Sequence, residues 1–400
     1  MKALEQTFDM RPLVLEAFLC SLAMMSFMAL LGPVARKLAM SAWQAGAVMS
    51  VGGVTLALFA RSWGRLSDRL GRRKILLIAL AGFACSNLAL SCFLISALDQ
   101  APHSSFGVWL GLLVLKALSG GFYAAIPVSS AALVAEHIQE DGRAKALAGL
   151  GAASGLGMIA GPGMIAFTAN LGLTVPLLLL AALPFFAWLV MWRSLPQWPH
   201  VQLKLHEPVA GKDCHFYGPA GVAFISMLCV SIAQVSVGFY ALDRLSLTVE
   251  AASVAAGTVL TLVGVALVVA QIILRRLTSA PLSWVAWGST ISALGFASVI
   301  YADRLWLMGA GYFVAALGMG WIFPSVLAWA MHTASSKQQG IVAGTVSAAQ
   351  GLGIVAGPIV GATIYGMSIQ GPYVLIASLM AATALWCFIC SQRFSSIQVK

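Results

Sequence analysis

Twelve stretches of this chain are each long and apolar enough to cross a bilayer as a helix, a length of about 20 residues. They run roughly over 12–35, 43–62, 75–98, 106–134, 146–170, 174–193, 218–240, 251–274, 282–301, 304–331, 340–366 and 371–391. Over such lengths no alternating pattern competes. Inside lipid a backbone must satisfy its own polar groups, which favours helices. The chain therefore reads as an all-α membrane protein with twelve transmembrane helices. Composition agrees: 60% of its 400 residues are hydrophobic and 9% charged, against about a quarter charged in a soluble domain.

The basic residues orient the spans. With both termini in the cytoplasm, eighteen of the 23 Lys and Arg residues fall on the cytoplasmic side. Arg36, Lys37, Arg244 and Arg304 fall on the other side, and Lys116 falls within a span. This asymmetry places the termini inside. The formal net charge of +10 then has anionic inner-leaflet lipid as its counter-surface, and no nucleic-acid partner is expected. The N-terminus, "MKALEQTFDMRP", lacks a cleavage site of small residues and does not read as a removable leader.

The longest polar interval, Arg193 to Pro219, divides the chain near its middle. Two six-helix bundles follow, at 1–193 and 218–400, joined by a cytoplasmic segment at 194–217. Internal repetition supports the division. Span five contains "GLGMIAGP" at 155–162 and span eleven contains "GLGIVAGP" at 351–358. Pro127 in span four and Pro324 in span ten keep nearly the same offset. Two like halves in the same orientation relate by an axis along the membrane normal.

Six of the twelve residues from Trp63 to Lys74 are charged, in a turn between spans two and three. The glycines allow two helix ends to meet closely. The pattern at Gly64, Leu66, Asp68, Arg69, Gly71, Arg72 and Arg73 resembles the loop signature of the major facilitator superfamily. That resemblance implies the major facilitator fold. It also implies alternating access and a latch in which Asp68 meets the start of span eleven, near Ser335–Gly340, and holds the cytoplasmic side closed.

Span five carries Gly157, Gly161 and Pro162; span eleven carries Gly353, Gly357 and Pro358. Small residues let helices pack closely, and proline frees a carbonyl and bends its helix. These positions are expected to form a pliable seam between the halves. Span five resembles the glycine–proline signature of the superfamily's drug:proton antiporters, although Ile165 and Ala166 replace its second pair of glycines.

Only Glu16 and Lys116 lie clearly inside spans. Ionisable groups there are costly and point to function. Lys116 stands where the helix-four signature of the resembled family has an arginine associated with proton coupling. Lysine keeps the charge but loses the planar fork of donors. Glu16, five residues into span one, either carries a proton or reaches back to the membrane edge. Glu136 and His137 read as a solvated cap. Tyr123, Gln234, Tyr240 and Trp321 are candidates to line a solute cavity, with Asn87, Gln271, Gln350 and Trp329 behind them.

No paired carboxylates, nucleophile triad, phosphate-binding loop or metal-ligand cluster stands out, so an enzyme, a metal and a cofactor are not expected. Cys387-x-x-Cys390 lies in an apolar run and reads as two small residues on a buried helix. The resemblance implies proton-coupled efflux of hydrophobic or amphipathic small molecules, as in multidrug exporters. Export of an anionic metabolite such as a carboxylate siderophore, suggested by Lys116 and the scarcity of acids, or uptake by symport, stands as the alternative. Partners are then a small-molecule substrate, protons and the lipid bilayer, for a monomer in the inner (plasma) membrane.

Overall fold

The computed structural model describes residues 8–99, 105–195, 217–274, 280–332 and 339–398. The first half of the sequence forms α1 (Arg11–Lys37), α2 (Ala42–Leu70), α3 (Arg72–Asp99), α4 (Ser105–Tyr123), α5 (Ala125–His137), α6 (Glu140–Thr168) and α7 (Thr174–Ser194). The second forms α8 (Tyr217–Asp243), α9 (Val249–Leu274), α10 (Pro281–Ile300), α11 (Leu305–His332), α12 (Gln339–Met367) and α13 (Gly371–Gln398). Among the described residues there is no strand, and twelve helices are long and apolar enough to cross a membrane. α4 and α5 together make the fourth crossing, Phe106–His137. Most of the central segment, 196–216, lies outside the described residues, as do Ser335 to Gln338 at the expected start of span eleven.

Prolines explain the irregularities. Pro127 has no N–H to give the carbonyl of Tyr123, and the helix breaks at Ala124, between α4 and α5. Pro162 in α6 and Pro358 in α12 stay inside their helices, at matching places in the repeat.

The charged stretch is not a loop over its whole length. α2 continues through Gly64 and Asp68 to Leu70, and α3 starts at Arg72, so Gly71 alone turns the chain. Its φ of 94° is one that glycine adopts without strain. A Cβ at Gly64 would only touch Val128, 3.5 Å away. Of the two glycines, Gly71 is the one the turn requires.

The chain divides into two compact units. One takes Met1–Phe27, Val51–Met164 and Leu171–Leu205; the other takes Met28–Ser50, Ile165–Asn170 and His206–Lys400. In the first, a core of α1, α3, α5 and α7 gathers Leu13, Ile75, Phe83, Ile126, Leu133 and Met191, all nearly inaccessible. In the second, α8 packs on α12, α9 on α11, and α10 on both α11 and α13.

The glycines of the repeat make matching contacts. In α6, Gly157 abuts the carbonyl of Phe18, and a Cβ at Gly161 would stand 2.6 Å from the carbonyl oxygen of Leu22, both on α1. In α12, Cβ atoms at Gly353 and Gly357 would approach backbone atoms of Leu228 on α8 to 2.8 and 2.9 Å. Close backbone approach at these four glycines fastens the fifth crossing to the first, and the eleventh to the seventh.

Candidate functional site

The two intramembrane charges lie along one helix pairing in the first unit. Positions 16, 20, 24 and 27 recur at i, i+4, i+8 and i+11, which places them on one face of α1. Opposite them stand Lys116, Tyr123 and Ser130, seven residues apart on α4 and α5.

Glu16 is 1% exposed. Ser130 Oγ donates to its Oε2 at 2.9 Å, while Oε1 has no hydrogen-bond partner among the described residues. One turn along α1, Ser21 Oγ and the Tyr123 hydroxyl are 3.4 Å apart. Further along, Lys116 is also 1% exposed. Its ammonium lies 4.3 Å from the centre of the Phe27 ring and 4.0 Å from Met24 Sδ. It makes no ion pair among the described residues. Gly52 of α2 leaves room for the lysine stem, since a Cβ there would come within 3.3 Å of Lys116 Cγ. The carbonyl of Gly52 in turn abuts Gly120, which draws α2 against α4.

This arrangement is one buried cation held against a ring face and a thioether, and one buried carboxyl held by a hydroxyl. A ring face attracts an ammonium, but neither neighbour cancels its charge. Burying an unpaired ion costs several kcal/mol, of order, in a low-dielectric surround. Both side chains are buried inside the helix pairing.

The other sequence-based candidates are distributed elsewhere. Tyr240 is fully buried and donates its hydroxyl to the carbonyl of Val299 at 2.8 Å, so it fastens α8 to the end of α10. Trp321 donates its indole N–H to the carbonyl of Ala270 at 3.1 Å and meets Trp284 edge-on. Gln234 is partly buried on α8, in the other unit. Asn87 is buried and donates to the carbonyl of Phe83. Gln271 is exposed.

At the Gly71 turn, Arg72 lies between two acids. Its Nη2 is 3.4 Å from Asp68 Oδ1 and its Nε is 2.8 Å from Glu136 Oε2. Glu136 is therefore part of this turn and not a solvated cap, and His137 stacks on Phe8 with ring centres 4.8 Å apart. Arg73 donates to the carbonyl of Leu195 at 2.7 Å and Arg143 to that of Ala135 at 2.7 Å. Cations at helix C-termini meet unsatisfied carbonyls there. Arg69 lies in the last turn of α2.

Phe27, Met24, Gly52, Ser21 and Ser130 were missed from the sequence. Their types are common in any apolar span. The spacing of four on α1, and of seven from Lys116 to Ser130, is the signal that could have found them.

The model of the Major Facilitator Superfamily matches residues 13–279. A gallate transporter of Pseudomonas putida is 39% identical over 98 residues, a stretch covering 24% of this chain and 19% of that one. Solved structures share the fold over nearly the whole length. The nucleoside transporter NupG superposes with a TM-score of 0.73 at 15% identity, covering 95% of this chain and 98% of its own. The xylose transporter XylE from E. coli gives 0.69 at 17% identity, covering 95% and 96%. The human organic anion transporter TETRAN gives 0.64 at 19% identity, covering 94% and 98%. With two thirds of its length matched by the family model and its twelve helices arranged as in these transporters, the chain belongs to the Major Facilitator Superfamily.

Proposed function

We propose that this chain is a proton-coupled secondary transporter of a small organic anion, most simply a carboxylate, moved by alternating access. The observation that carries the reading is the buried ammonium of Lys116, which has a ring face beside it and no carboxylate paired with it among the described residues. An anionic solute with an apolar body supplies the missing charge and can pack against Phe27. The organic anion transporter among the similar structures, and the relative named for gallate, lend support.

Charge balance favours symport. An anion that pairs with the Lys116 ammonium leaves an ionised Glu16 as one uncompensated buried charge, which is costly to carry across lipid. A proton that enters with the anion and goes to the Glu16 carboxylate cancels that charge. Tyr123 and Ser21 then lie between the two ends of the same helix pairing. The Gly64–Arg73 region acts as the cytoplasmic latch, with Asp68 as its acid. The protein works as a monomer in the plasma membrane, both termini inside, as the distribution of Lys and Arg favours.

Efflux of hydrophobic or amphipathic drugs by proton antiport is the second reading. The unpartnered Oε1 of Glu16 favours it, since a cationic solute would use that carboxyl. Purified protein in sealed vesicles with an imposed pH gradient separates the two. Radiolabelled aromatic and aliphatic carboxylates, neutral solutes and lipophilic cations are offered in turn. Carboxylates are expected to accumulate on the alkaline side. Movement of cations without carboxylates replaces the anion reading by the drug reading.

A further inference from the structure

Arg36, in the last turn of α1, forms an ion pair with Asp243, the last residue of α8. Tyr365 of α12 donates its hydroxyl to the same carboxylate oxygen at 3.0 Å. The guanidinium also lies over the Phe239 ring, 5.7 Å from its centre, and that ring packs 5.5 Å from Tyr365. One residue further, Lys37 reaches Glu250 in the first turn of α9 at 3.9 Å. Side chains from the first, seventh, eighth and eleventh crossings therefore meet at one end of the second unit. Because crossings alternate, the ends of α1 and α8 lie on the same membrane face, opposite the Gly71 turn.

Below the charges the backbones close up. A Cβ at Gly32 would stand 2.9 Å from the amide nitrogen of Phe239, and one at Gly238 would stand 2.8 Å from Pro33 Cδ. Gly46 of α2 leaves no space for a Cβ against the carbonyl of Pro358 on α12. At Gly32 and Gly46 the close approach is to main-chain atoms, and at Gly238 it is to the stiff ring of Pro33.

Exposed ion pairs hold little by themselves, and the Lys37–Glu250 pair is of that kind, with both side chains more than two fifths exposed. Asp243 differs. Its side chain is 26% exposed, it accepts from an arginine and a tyrosine on separate crossings, and its arginine also covers an aromatic ring. The contacts of Arg36 need α1 beside α8, so they are lost if those two helices part at this end, while the Tyr365 hydroxyl on α12 orients the Asp243 carboxylate on α8 to receive the arginine.

We propose that Arg36, Asp243 and Tyr365 form a lock that holds shut the membrane face opposite the Gly71 turn and breaks when the transporter opens to that face. This inference uses the family's alternating access, and holds whatever the solute and whether or not protons drive it. Its test therefore uses no substrate. In protein whose native cysteines are replaced, Ser236→Cys places one thiol at a fully buried position of α8. The position is seven residues, about 10 Å along the helix, below Asp243. A membrane-impermeant maleimide is added from the locked face, and labelling rates are compared at equal membrane content.

Asp243→Asn and Arg36→Gln should each raise the rate by about tenfold, equivalent to a modest shift in the closed population. Tyr365→Phe, which removes one hydroxyl, should raise it by a smaller factor and stands in if a charge variant fails to insert. The exchange of both charges, Arg36→Asp with Asp243→Arg, should return the rate toward that of the parent. Parent-like rates in all single variants overturn the lock. So does an exchanged pair that labels as fast as Asp243→Asn, because the pairing itself would then have no role.

Discussion

Lys116 is the residue whose chemistry is hardest to explain by packing. It is 1% exposed, and its neighbours are Phe27 and Met24. A residue kept only for structure would be more stable without its charge there. Replacing buried charges with apolar groups of similar size is neutral or stabilising, by up to about 4 kcal/mol. Lys116→Met is therefore expected to melt at the same or a higher temperature than the parent in detergent. Its gradient-driven carboxylate accumulation should fall by roughly tenfold or more, the loss of a single charge-assisted contact. A stable variant that still accumulates carboxylate removes Lys116 from the site. The sequence made Lys116 and Glu16 legible because charges are conspicuous in apolar runs. It could not reveal Phe27 or Gly52, which are ordinary residues whose role comes only from what faces them.

At the level of elements, hydrophobic length located most crossings to within a few residues, but missed the end of α2, the start of α6 and the end of α13. Apolar sequence stops near Arg61, yet the helix runs on to Leu70. A helix that leaves the hydrocarbon region keeps its backbone bonded internally and can carry charged side chains at the interface. Apolar counting therefore sees where the lipid ends and not where the helix ends. The glycine repeats were legible as close-packing signals, but their partners were not. Gly357 faces α8, where a Cβ would crowd Leu228 and Ser231, whereas Gly351 on the same helix has open space beside it. Gly357→Leu should lower stability by about 1–3 kcal/mol through overpacking. Gly351→Leu should leave it within about 0.5 kcal/mol. Thermal melting of the two purified variants checks the difference; equal melting would mean that the α8–α12 approach is not tight.

For the whole molecule, the repeat at 155–162 and 351–358 corresponds to a repeat of packing, α6 on α1 and α12 on α8. At the Gly71 turn, Asp68 lies within 3.4 Å of Arg72, which also holds Glu136. If Asp68 works as a latch, Asp68→Asn should insert normally and melt close to the parent. Transport should nevertheless fall roughly tenfold, as expected for the loss of a conformational bias of about 1.4 kcal/mol. Quantifying membrane content beside initial transport rates tests this, and an unchanged rate removes the latch.

The sequence by itself determined the number of crossings, the two-fold repeat, the family and the presence of two intramembrane charges. Each of these follows from a local or additive property: length in lipid, charge count, or similarity along the chain. Tertiary structure alone decided that Lys116 faces Phe27 and Gly52, that Glu16 is held by Ser130, and that Gly157 and Gly161 meet α1 while Gly353 and Gly357 meet α8. It alone joined Arg36 to Asp243 and Tyr365, residues from three different crossings. Pairings of that kind depend on how helices rotate and approach one another, and the summed packing of many weak contacts sets that geometry.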